Sequence, residues 1–68
     1  MQTVIKNELL KDYKGRNYAL EIRTAGRGYE VILAVEDAEP YLFKDLHSRK
    51  YQTLDGAKKA FRNVKNQF

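Results

Sequence analysis

The chain has 68 residues, of which 43% are hydrophobic and 32% charged, with no cysteine and a formal net charge of +4. That length allows one domain, 1–68, which buries only about 60% of its unfolded surface. The lack of cysteine excludes a disulfide frame and a thiolate metal site. The longest apolar run, VILAV at 31–35, falls far short of the ~20 residues of a membrane helix. The opening MQTVIKNELLKDYKG mixes charge into its apolar residues, unlike a secretory signal, so the cytoplasm is the expected location.

Residues 1–13 can be read in two ways. Ile5, Leu9 and Tyr13 lie four apart, which suits a helix face, but the same positions also share a strand face. Thr3, Val4, Ile5 and a turn at DYKGRN favour a first strand. NYALEIRT (17–24) alternates, with Tyr18, Leu20 and Ile22 on one side and Ala19, Glu21 and Arg23 on the other. AGRG (25–28) is a turn, and YEVILAVE (29–36) is a second alternating strand with Tyr29, Val31, Leu33 and Val35 in phase. Together they predict a β-hairpin. DAEP (37–40) is a further turn, where Pro40 fixes φ and removes a ladder donor. YLFKDLHS and RKYQT then form either one long strand or two pieces broken near His47 and Ser48.

The last element is a helix. Thr53 suits its N-cap and Asp55 suits the positive end of its dipole. Leu54, Ala57, Ala60, Phe61, Val64 and Phe68 follow the spacing of a core-facing stripe, while Gly56 costs roughly 1 kcal/mol against alanine. The predicted fold is α+β: a small antiparallel sheet of three or four strands with one C-terminal helix on one face, β-β-β-(β)-α. Leu20, Ile22, Val31, Leu33, Phe61 and Val64 are its expected core. Ile32, and without a bulge also Leu42 and Leu46, fall on the opposite face, which then wants a cover. The two covers open to it are the N-terminal segment and a second subunit in a homodimer.

Charge is distributed unevenly. Residues 1–43 carry Lys6, Lys11, Lys14, Arg16, Arg23 and Arg27 against seven carboxylates. Residues 44–68 carry Lys44, Arg49, Lys50, Lys58, Lys59, Arg62 and Lys65 against Asp45 and Asp55 alone. Lys58, Arg62 and Lys65 form one helical stripe with Lys59 beside it, and Lys44, Arg49 and Lys50 extend the field into the preceding strand. Such a field contacts successive phosphates, releasing counterions, and Tyr51 is a candidate for stacking on a base. The same cations also serve as solvated side chains and complement the helix dipole. Tyr18 and Tyr29 share phase with strand Leu and Val and are expected at the core edge, hydroxyls toward water; Tyr13, Tyr41 and Tyr51 are freer.

Other constellations carry no chemistry. TAGRG lacks the lysine and following helix of a phosphate-cradling loop. Asp45, His47 and Ser48 are adjacent in sequence, but a triad needs convergence in space. His47 is the single histidine and has no partner for a metal. Glu36, Asp37 and Glu39 cluster at a turn and solvate it. The expectation is a non-enzyme with no catalytic residues, metal or cofactor.

Two family resemblances bear on the partner. DYKGRNYALEIR (12–23) resembles the strand–turn–strand opening of the positive-cofactor-four (p15) coactivator family. That resemblance implies a four-stranded sheet with a C-terminal helix, binding single-stranded DNA as a dimer. RKYQTLDGAKKAF (49–61) is similar to the last strand and helix of arm-type DNA-binding domains of phage integrases and their plant AP2-like relatives. That one implies a three-stranded sheet that reads the major groove. The expected function is a small nucleic-acid-binding domain using the basic C-terminal helix and adjoining strand. The alternative is a phage or mobile-element-type adaptor or inhibitor that docks on an acidic protein surface.

Overall fold

Alternating strands with short turns between them pair in chain order, and that is the arrangement found. The computed structural model describes residues 3–37 and 42–68. It contains β1 (Val4–Lys11), β2 (Asn17–Ala25), β3 (Gly28–Glu36), β4 (Phe43–Tyr51) and α1 (Leu54–Lys65). The strands form one antiparallel sheet in the order β1-β2-β3-β4, with α1 packed on one face. The α+β expectation is met, with the strand alternative correct for the N-terminal segment and four strands rather than three.

The hairpin forms as the alternation requires. Leu20 opposes Leu33 and Ile22 opposes Val31, so their side chains meet on one face. Gly26, at φ 60, takes the left-handed conformation of the two-residue connection Gly26–Arg27. The β1–β2 turn is built on Asp12. Its side chain accepts the backbone N–H groups of Lys14 and Arg16, both at 2.9 Å, and its second oxygen accepts the Tyr18 hydroxyl at 3.0 Å. The Arg16 N–H leads in holding the Asp12 carboxyl below its ordinary range, and the Tyr18 hydroxyl's own hydrogen bond to Asp12 raises that hydroxyl above its usual value. Tyr18 therefore reaches Asp12 rather than water. Its ring also meets Phe68 edge-on at 4.8 Å. Of the DAEP turn only Asp37 is described, and its N–H donates to the Leu42 carbonyl; the rest of that turn and Tyr41 lie outside the described residues.

Residues 43–51 settle as one strand, with an irregularity. Leu33 opposes His47 while Ala34 opposes Asp45, so Leu46 is the extra residue of a bulge. A second bulge at Ile5 lies in the other edge strand, and such irregularities help protect open edges. Thr53 caps α1 as expected, accepting the Gly56 N–H at 3.1 Å. The helix ends at Lys65, so Phe68 lies beyond it.

Leu20, Ile22, Val31, Ala57 and Phe61 form the buried core, with Leu33, Val64, Leu10, Leu54 and the rings of Tyr29 and Tyr51 packed around them. In β1 it is Leu10, opposite Tyr18, that joins the core; Leu9 and Tyr13 are 73% and 93% exposed. No helix among the described residues covers the opposite face, yet Ile32 is only 4% exposed and Ala34 only 7%. Ile32 is thus covered within one chain, with Asn7 of the N-terminal segment among the residues beside it. Glu21, Arg23, Phe43 and Asp45 stand around it, and the Arg23–Glu21 ion pair at 2.7 Å ties two of them together.

Candidate functional site

Strand register sorts the charges. Lys6 opposes Ile22, Lys44 opposes Val35 and Arg49 opposes Val31, so all three project from the helix-bearing face. With Lys58, Lys59, Arg62 and Lys65 on α1, the strands and helix present these seven cations on that side against Glu8 and Asp55. The bare face instead carries Lys11, Arg23 and Lys50 with Glu21, Glu30, Glu36 and Asp45. The positive excess is therefore a property of one layer as well as of the last third of the chain.

The predicted stripe is real and has an unforeseen member. Lys58, Arg62 and Lys65 flank α1 on its β1 side, where they line a groove of about 290 Å³ with Lys6 and the ring of Phe61. The Lys6 ammonium lies 4.8 Å from the Phe61 ring centroid, a cation–π distance. Lys65 is engaged by Glu8 at 2.9 Å. The hydrogen bond from Lys65 holds the Glu8 carboxyl below its ordinary value, with the charges of Lys65 and Lys6 adding to the effect. Lys6, Lys58 and Arg62 are in no ion pair among the described residues. Lys59 sits on the outer side of the helix, a step of about 100° from Lys58, and shares no groove with the stripe.

The β4 candidates do not join that groove. Arg49 lines a smaller depression on the far side of α1, about 190 Å³, with His47, Tyr51, Asn63 and Val64. Lys44 lies further along β4 on the same side of the sheet. Lys50 opposes Glu30 on the bare face. Tyr51 is half-buried, packed against the core and lining two neighbouring depressions. The eight predicted residues thus divide between two flanks of the helix, its outer surface and the far side of the sheet. Asp45 and Ser48 project from the bare face while His47 projects from the other, so this trio does not converge.

One further depression was not foreseen as a site. It lies where the β2–β3 turn meets the β4–α1 junction, has a volume of about 580 Å³, and is lined by Tyr29, Tyr51, Arg27 and Lys50 among others. Tyr29 and Tyr51 oppose each other across β3 and β4, a pairing that only the register reveals.

The fold and site define a small four-stranded sheet with a single covering helix and a cation-rich helix layer. Comparison with protein-family models, curated proteins and solved structures found no match. No helix among the described residues is long and apolar enough to cross a membrane.

Proposed function

We propose that the chain is a small non-enzymatic nucleic-acid-binding domain whose helix layer contacts the phosphate backbone. The observation that carries this reading is the sorting of charge: Lys6, Lys58 and Arg62 converge on one groove without ion-pair partners among the described residues, inside a layer with an excess of positive charge. Cations held together by a rigid helix and strand neutralise adjacent phosphates and release counterions. The strand order with a closing helix agrees with what the resemblance at residues 12–23 implies, more than with the three-stranded sheet of the second resemblance.

Docking on an acidic protein is the second reading. A protein interface is expected to set an apolar centre inside a polar rim. Among the described residues the exposed large apolar side chains are Val4, Ile5, Leu9, Tyr13, Leu42, Leu46 and Phe68, and none lies on α1. Phe61, the one aromatic of the basic groove, is only 2% exposed. The helix layer therefore has the charge for either partner but lacks the apolar centre of a protein dock. Titration with labelled single- and double-stranded oligonucleotides at two salt concentrations tests the proposal. Binding that weakens steeply with salt supports it, and no binding at low salt overturns it.

A further inference from the structure

We propose that the cleft between the β2–β3 turn and the β4–α1 junction holds one unpaired nucleotide of a bound strand, its base against Tyr29 and Tyr51 and its phosphate between Arg27 and Lys50. This rests on the nucleic-acid reading and adds where an unpaired nucleotide is held. The cleft measures about 580 Å³, within the range of roughly 300–1,000 Å³ typical of small-ligand sites, and about twice the volume of the basic groove. Its lining includes Tyr29 and Tyr51, neighbours across β3 and β4 by register, and two cations, with no carboxylate. That composition suits a planar ring carrying negative charge; an apolar ligand would leave the cations without a role.

The cleft is also held open. Ala25 and Gly28 close the hairpin opposite each other, and both line the cleft with almost no side chain. A Cβ on Gly28 would run into the Tyr51 carbonyl, so the backbone approach that forms this corner requires glycine. A base inside a duplex is stacked on both faces and paired along one edge and cannot enter such a corner, whereas an unpaired base can. Stacking on an aromatic side chain is sequence-tolerant, so the cleft should accept any base.

The test uses the whole chain with a short oligothymidylate, a duplex of equal length and uridine monophosphate. Amide shifts are followed by NMR, and tyrosine fluorescence is followed in parallel. The expected result is that the oligothymidylate shifts the amides of Ala25, Gly28, Tyr51 and Gln52 and binds roughly tenfold more tightly than the duplex at the same salt. Tyr51→Leu should remove most of that preference. Because Tyr51 also packs on the core, the exposed double variant Arg27→Gln/Lys50→Gln provides an independent reading, with several-fold weaker binding of the single strand and an unchanged melting temperature. Equal affinity for both forms, with shifts confined to Lys6, Lys58 and Arg62, overturns the cleft while leaving the nucleic-acid reading in place. Uridine monophosphate binding as tightly as the oligonucleotide overturns a strand as the source of the nucleotide. No binding of any oligonucleotide at low salt overturns the function reading and the cleft with it.

Discussion

Gly28 shows how much can depend on a missing side chain. Its neighbour in space is the Tyr51 carbonyl, which is backbone and cannot rotate away. Gly28→Ala must therefore push β3 and the end of β4 apart, and overpacking of this kind costs roughly 1–3 kcal/mol. Urea denaturation should show that loss, together with weaker protection of the Tyr51 and Gln52 amides. Phe61 is the opposite case, a large ring at 2% exposure within the buried core. Phe61→Ala is expected to lose about 3–5 kcal/mol. A domain of this size has on the order of 3–10 kcal/mol in all, so the variant should melt far below the parent in a calorimetric scan. A small shift would mean that the helix contributes little to the core.

At the scale of elements, the Asp12 turn gives a pH dependence with a definite sign. Its carboxyl and that of Glu8 sit below their ordinary values, the first through the Arg16 N–H and then the Tyr18 hydroxyl and Lys14 N–H, the second through Lys65. The folded chain then binds fewer protons than the unfolded one as pH falls through the range of about 4. Stability from both groups is complete above the unfolded values and is lost as pH drops through the lower folded ones. The urea midpoint should fall between pH 6 and pH 3, and Glu8→Gln/Asp12→Asn should flatten that fall; an unchanged slope would show that neither contact matters. The alternation of 17–24 and 29–36 and the stripe of α1 made these elements legible, since each signal is local. The site was legible only in part. Lys44 and Arg49 are five apart and would face opposite ways in a regular strand, but the bulge at Leu46 turns both to the helix side. Lys6 joins the groove through pairing with β2, and Tyr29 meets Tyr51 through β4. Neither is written in any one segment.

For the whole molecule, the two layers lead to different expectations. The bare face has mixed charges, and its most apolar residue, Ile32, is already covered within one chain. Self-association there would gain mainly Val4, Leu9 and part of Phe43, so sedimentation at micromolar concentration should give a monomer; a dimer would show that this smaller patch suffices. The helix layer should act at longer range. Each phosphate contact lowers log K by about 0.7 per decade of salt on a single strand and by about 0.9 on a duplex. Lys58→Gln/Arg62→Gln should therefore flatten the single-strand slope by roughly 1.4 and weaken every sequence alike, because phosphate contacts carry no base information. Lys65 is left in place, since removing it would strand Glu8 and confuse folding with binding. Lys59→Gln, on the outer side of the helix, provides the comparison. If the strand lies in the groove, this change alters the slope far less than the double variant does. Equal effects would mean that the helix acts as a diffuse positive surface, and that the convergence of Lys6, Lys58 and Arg62 has no part in holding the strand.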